Sequence, residues 1–303
     1  MKSKNNILIV GGTGFIGYHL AKKSLKKGWK VTSISTKRPK QLRYLKKVKY
    51  IFCDITKKNS LKKSIRKNFN YVVNLGGYVD HSNRKKTLGS HYKGCKNLTE
   101  IFLKKRPKAF IQMGSSGEYG ALRSPQKENS KCSPKSIYGQ AKLLASKYLI
   151  SIAREKNFPV TILRLYQAYG PKQDFNRLIP IVIKACIKNK KFPCSSGEQL
   201  RDFLYIDDVV DAILKSLKCE KARGQIINIG TGKPQKVKNV INLIKKILKG
   251  GHPQFGKIKF RKDEILKIYP NIKKAKKKIN WHPRTLFNKG LKSTIEYYNE
   301  RSS

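Results

Sequence analysis

Short apolar runs recur along the first half of the chain, separated by longer stretches in which apolar residues sit three and four apart among lysines. The runs 7-ILIV-10, 30-KVTSIS-35, 48-VKYIFCD-54, 71-YVVNLG-76, 109-AFIQMG-114 and 159-PVTILRLY-166 predict strands. The stretches near 15–27, 59–68, 90–104 and 136–157 predict helices between them. Strands apolar on both faces, alternating with helices, predict an α/β doubly wound parallel sheet. The second half is less regular. Helices are expected over 175–191, with Pro180 near the start, and over 207–217, 236–249 and 284–300, with one strand at 225-QIINIG-230. No internal repeat or low-complexity linker appears, so the second half is expected to pack against the first.

The first strand runs into 11-GGTGFIG-17 and then a helical pattern, 18-YHLAKKSLKKG-28. Gly11, Gly14 and Gly17 have the spacing that permits a tight turn, close approach of backbone to a pyrophosphate, and close helix–strand packing. The helix start then offers amide N–H groups and its dipole to the phosphates. This predicts a Rossmann-type dinucleotide domain over 1–170, and a smaller α/β substrate domain over 171–303 with some segments returning to the first.

The end of the second strand bears on the choice of dinucleotide. An NAD site usually places Asp or Glu there, to accept from the ribose 2′-OH. This chain has 33-SISTKRPK-40 and no acid. Ser35 or Thr36 can hydrogen-bond a phosphate, and Lys37 or Arg38 can balance its charge, which favours NADP modestly over NAD. Asp54, closing the third strand, is expected either at the adenine ring or as a helix cap.

Charge changes the picture less than its size implies. The 303 residues carry 69 basic and 17 acidic side chains, a net +52. That total invites a nucleic-acid or anionic-membrane reading. The lysines, however, spread along the whole chain and fall at solvent-facing helical positions, as in 22-KKSLKKGWK-30 and 273-KKAKKK-278. A lysine-saturated surface is the expectation, with no specific nucleic-acid partner. Six scattered cysteines without C-x-x-C pairing fit free thiols in a reducing compartment. The four-residue run at 7–10 is too short for a signal-peptide core, and no stretch approaches a membrane span. A cytoplasmic protein is expected.

In 138-YGQAK-142, helical geometry makes Tyr138 and Lys142 neighbours. An ammonium held beside a phenol stabilises the phenolate, so the pair suits proton transfer. Together with 11-GGTGFIG-17, 113-MGSSGEYG-120, 163-LRLYQAYGP-171, 201-RDFLYIDDVVDA-212, 228-NIGTGKP-234 and the tail from 279, the chain resembles the extended short-chain dehydrogenase/reductases, the sugar-nucleotide epimerase/dehydratase group. The match runs nearly end to end, in family order.

The resemblance implies roles. Ser115 would hydrogen-bond the reacting sugar oxygen, Tyr138 would give or take the hydroxyl proton, and Lys142 would hold the nicotinamide ribose. Dinucleotide contacts are expected at Gly11, Thr13, Gly14, Phe15, Ile16 and Gly17 on the turn, and at Ser35 and Arg38 after the second strand. Further contacts are expected at Asp54 and Ile55, at Leu75, Gly76 and Gly77, and at Tyr138 and Lys142 themselves. Ser116, Gln167, Arg201 and Arg261 would contact a nucleotide sugar, the arginines through its diphosphate. Relatives often form homodimers through two helices per subunit, here near 90–104 and 136–157.

The departures carry weight. The 4,6-dehydratases of this group have an Asp-Glu pair directly after the catalytic hydroxyl, where this chain has Ser116 and Gly117. Dehydration is therefore not expected. Glu118, one place on, reads as a charged residue at the rim of the site, and as a substitute acid only if the loop differs. His91 stands where relatives often have Asn; His81 and His91 read as structural in the main, with substrate contact as the sharper alternative. No metal is assigned. The expected activity is hydride transfer on a nucleotide sugar, by a 4-keto reductase or a 4-epimerase. The rival reading is a catalytically idle dinucleotide sensor or RNA-binding relative on the same fold.

Overall fold

The computed structural model describes residues 5–78, 83–260 and 264–301. In chain order its first half contains β1 (Asn6–Val10), α1 (Phe15–Lys26), β2 (Lys30–Ser35), β3 (Val48–Phe52), α2 (Lys58–Ser64), β4 (Tyr71–Asn74), α3 (Arg84–Leu88), α4 (Gly94–Lys104), β5 (Ala109–Ser115), α5 (Ile137–Lys156) and β6 (Val160–Leu165). The second half adds β7 (Gln167–Tyr169), α6 (Leu178–Ile187), β8 (Lys191–Pro193), β9 (Leu200–Arg201), β10 (Phe203–Tyr205), α7 (Ile206–Lys218) and β11 (Gln225–Ile229). It closes with β12 (Gln235–Lys236), α8 (Val237–Leu248), β13 (His252–Gln254), β14 (Lys267–Ile268), α9 (Lys273–Ile279) and α10 (Phe287–Asn299).

Seven strands form one parallel sheet in the order β11-β6-β5-β4-β1-β2-β3. Strand β1 shows why it forms. Ile7 and Ile9 face one layer of helices and Leu8 and Val10 the other, and all four are buried. One face packs on α1 and α7, with Leu20, Val209, Ile213 and Trp281 in its core. The opposite face packs on α2, α4 and α5 through Leu61, Leu98, Phe102 and Leu149. Each such side chain contributes roughly 1.5–3 kcal/mol on leaving water. A third apolar cluster joins α6, α8 and α10.

The strand order reverses between β1 and β4, which opens a crevice at the carboxyl ends of those strands, where such sheets take their ligands. The single helix expected over 90–104 is longer and broken: α3 is followed by a π-turn, Gly89–Lys93, that leads into α4. The paired short strands β7–β10, β8–β13 and β12–β9–β14 went unread in the sequence. No helix among the described residues is long and apolar enough to cross a membrane. All six cysteines are free thiols.

Candidate active site

The glycine turn sits in the β1/β4 crevice. Gly11 has φ of +78°, open to glycine at little cost, and a Cβ there would lie 3.1 Å from the Leu75 backbone. At Gly17 a Cβ would overlap the Gly11 carbonyl oxygen, so α1 approaches the turn only through a glycine. Helix α1 starts at Gly14 with no side-chain cap and no acid in its first turn. Its amides and dipole suit a phosphate. Thr13, Phe15 and Ile16 are half-buried along this start. The residues present therefore fit a dinucleotide.

The other positions expected to meet the cofactor lie at the ends of β2, β3 and β4. Ser35 Oγ accepts the Thr13 N–H at 3.4 Å, tying the end of β2 to the turn. The exposed Arg38 lies over the Phe52 ring, 5.9 Å from its centroid. Asp54 is exposed and accepts the Thr56 N–H at 2.8 Å, which makes a turn ahead of α2; the helix cap itself is Lys57. Ile55 is buried, and its carbonyl takes the Asn97 amide at 2.8 Å. Leu75 N–H bonds the Val10 carbonyl at 2.9 Å, and Gly76 N–H bonds Asn74 Oδ1 at 3.1 Å, so the 75–77 segment lies across the end of β1.

Ser115, Tyr138 and Lys142 come together. Ser115 ends β5, and Ser136 caps α5 through the Gly139 N–H at 3.1 Å, which delivers Tyr138 in the first turn of that helix. Gly117 lies between them: a Cβ there would sit 3.4 Å from Ser115 Oγ and 3.5 Å from Tyr138 Cδ1. Lys142 Nζ is 5.8 Å from the Tyr138 ring centroid and donates to the Met113 carbonyl at 2.7 Å. It is only 5% exposed. Burial pushes the nearby Cys95 thiol up to about 12, so it stays protonated beside that ammonium.

His91, on the π-turn, is buried with its ring 5.1 Å from the Tyr138 ring, edge to face. Its Nε2 is 3.2 Å from the Tyr78 carbonyl oxygen. A Cβ on Gly77 would collide with this imidazole. The 75–78 segment and the tyrosine thus share one packed histidine. No local signal separated this placement from an ordinary core histidine. His81 lies outside the described residues.

Glu118 is the clear correction. It is fully buried rather than at a rim, and its Oε2 pairs with Arg164 Nε at 2.8 Å. The same oxygen takes the Ser146 hydroxyl at 2.8 Å, while Oε1 takes the Ser115 N–H at 2.9 Å. With both oxygens occupied and the side chain out of solvent, it does not replace the missing acid. Tyr119 next to it lies under the Arg164 guanidinium, 4.5 Å from ring centroid to Cζ, and donates to Asn228 Oδ1 at 2.7 Å. Burial raises that phenol to about 12, which keeps it a donor.

The positions expected to contact substrate are dispersed over shorter elements. Ser116 is half-buried on the turn after β5, and Gln167 is exposed at the start of β7. Arg201 is half-buried, donates to the Leu200 carbonyl at 2.9 Å, and pairs with Glu264. Arg261 lies outside the described residues.

A groove of about 690 Å³ lies apart from this site, between α1 and α7, lined among others by Lys22, Lys26, Lys215 and Lys218. Eight Lys and Arg side chains line it against two aspartates. That is the proportion of the chain as a whole, 69 to 17, so charge does not single the groove out.

The profile of the family described as "NAD dependent epimerase/dehydratase family" matches residues 7–230. The chain belongs to that family. It is an enzyme of the NAD-dependent nucleotide-sugar epimerase/dehydratase family, and its fold and glycine turn follow the family plan. It is 27% identical to a UDP-N-acetyl-alpha-D-glucosaminuronate decarboxylase of Bacillus cytotoxicus, over 98% of each chain. It is likewise 27% identical to a UDP-glucuronate 4-epimerase of Thermodesulfobacterium geofontis, over 97% of this chain and 96% of that one. A solved UDP-glucose 4-epimerase of Thermotoga maritima, crystallised with UDP-glucose, superposes with a TM-score of 0.93 at 28% identity, covering 98% of this chain and all of that one.

Proposed function

We propose that the chain is a nucleotide-sugar 4-epimerase using Ser115, Tyr138 and Lys142 on the sugar C4 oxygen. The observation that carries the reading is the approach of Ser115 and Tyr138 to Gly117 with Lys142 over the Tyr138 ring, linked to the glycine turn through the 75–77 segment and His91. The full-length likeness to 4-epimerases supports it, as does the commitment of Glu118 to Arg164, which withholds that carboxylate from dehydration.

A bound nicotinamide dinucleotide supplies the hydride chemistry. The chain supplies position and proton traffic. Tyr138 Oη exchanges the proton of the C4 hydroxyl. Ser115 Oγ already accepts the Gly117 N–H at 3.1 Å, so its O–H is left to donate to the same sugar oxygen. Lys142 spends one N–H on Met113 and keeps two for the ribose hydroxyls. Gln167, Ser116, Arg201 and Arg261 hold the nucleotide sugar, and a homodimer forms through the helices around 90–104 and 136–157. The chain divides into a dinucleotide domain over 1–170 and a mostly substrate-binding part over 171–303, from which α7, β11 and α9 return to the first domain.

A second reading, a 4-keto reductase using NADPH, is favoured by the acid-free end of β2, where Ser35 faces Thr13 and Arg38 covers Phe52.

The test incubates the protein with UDP-glucose and UDP-glucuronate in the presence of NAD+, and with their 4-keto forms in the presence of NADH or NADPH run separately, followed by mass and NMR. An isomer of unchanged mass, without net coenzyme loss, supports the epimerase. A product two hydrogens heavier, with matching coenzyme loss, moves the assignment to the reductase. Tyr138→Phe is expected to lower kcat by roughly 10²- to 10⁴-fold with coenzyme binding retained. Unchanged turnover would remove Tyr138 from the mechanism.

A further inference from the structure

We infer that Glu118 is a positioning residue that fixes Ser115 relative to α5; this rests on the reading of Ser115 given above. Three observations carry it. First, the carboxylate is fully buried and each oxygen is used: Oε1 on the Ser115 N–H at 2.9 Å, Oε2 on Ser146 Oγ and Arg164 Nε, both at 2.8 Å. Second, those donors come from the end of β5, from α5 one helical turn beyond Lys142, and from β6. One buried anion therefore joins the strand that carries the serine to the helix that carries Tyr138 and Lys142. Third, the space was cleared for it. A Cβ on Gly114 would lie 2.5 Å from Glu118 Oε1, and the Gly114 position is buried in β5.

The residue closes a capping box on the short helix Ser116–Tyr119, with Ser115 Oγ accepting the Gly117 N–H and Glu118 taking the Ser115 N–H in return. Both the backbone and the side chain of Ser115 are thus held by the loop that Glu118 anchors. A hydroxyl that must meet one sugar oxygen within hydrogen-bond reach loses rate steeply when displaced by an ångström. Glu118 exchanges no proton in this scheme, because it is cut off from solvent and both its oxygens are taken by protein donors.

The test is a double-mutant cycle measured on whichever of UDP-glucose, UDP-glucuronate or their 4-keto forms is turned over fastest. Glu118→Gln keeps the size but sets an amide against Arg164. It is expected to lower kcat on the order of 100-fold, with coenzyme affinity kept. In the Ser115→Ala background the same change is expected to cost less than about threefold, since the group it positions is gone. Glu118→Gln combined with Arg164→Met leaves no unpaired buried charge and serves if the single variant folds poorly. It should show the same dependence on Ser115. Equal losses in both backgrounds would overturn the inference and leave the reading of Ser115 standing. A Ser115→Ala enzyme with full turnover, or a wild-type enzyme silent on all four compounds, would overturn that reading and this inference with it.

Discussion

Arg164 and Arg201 each meet a glutamate from a distant stretch of chain, Glu118 in one case and Glu264 in the other. The first pair is 2% and 0% exposed, the second 12% and 23%. Burial at Arg164 removes both charges from water, so neither partner can be withdrawn without stranding the other. At Arg201 solvent reaches the pair, so removing one partner leaves the other hydrated rather than stranded. The same two side-chain types therefore form a buried tie in the parallel sheet and a solvent-reached pair among the short strands of the second half.

The largest test of this contrast is stability. Arg164→Met should cost about 3–5 kcal/mol, because it leaves Glu118 buried and unpaired. Arg201→Met should cost no more than about 1 kcal/mol. Urea unfolding of the two variants decides it, and similar costs would erase the distinction. The next effect is on substrate. Under the proposed reading, Arg201→Ala raises KM for the nucleotide sugar by roughly 10- to 100-fold with kcat little changed. Glu264→Gln should lower KM, since it removes the competitor for the guanidinium. A Glu264→Gln enzyme that binds substrate more weakly would show that the pair itself is needed.

The smallest effect lies where the two regions meet. His19, on α1, donates from Nε2 to the Pro171 carbonyl at 2.9 Å. Burial lowers its pKa from the ordinary 6.5, so the folded chain holds it neutral. The unfolded chain takes up the proton first as pH falls through 6.5, so the stability due to neutral His19 is present above that value. It is lost as pH falls further, through the depressed value. Urea midpoints between about pH 8 and about pH 5 should fall less steeply in His19→Gln than in the wild type. Parallel slopes would mean that His19 is not the titrating group.

The same contrast sets how much could be read from the sequence. The strands of the large sheet were legible because burial on both faces leaves unbroken apolar runs, as in 7-ILIV-10. The glycine turn was legible because its spacing is dictated by close backbone approach. Strands of two or three residues such as β9 and β12 have too few positions to show a period. The π-turn at Gly89–Lys93 keeps the composition of a helix and changes only its hydrogen bonds. Glu118 was misplaced for another reason. Its partner Arg164 lies 46 residues away, and nothing beside a glutamate announces a buried cation at that distance.

Strand β11 bears on how the enzyme is made. It closes the sheet beside β6 yet leaves the ribosome only after residues 171–224 have been synthesised. Its Asn228 accepts the Tyr119 hydroxyl and donates to the Gln126 carbonyl at 3.0 Å, steadying the loop that follows Ser115. A nascent chain that stops short of β11 exposes β6 as a bare edge, open to pairing with other chains. The loop after Ser115 is thus completed late in synthesis, and a fragment cut near 170 should aggregate rather than bind coenzyme as an independent module.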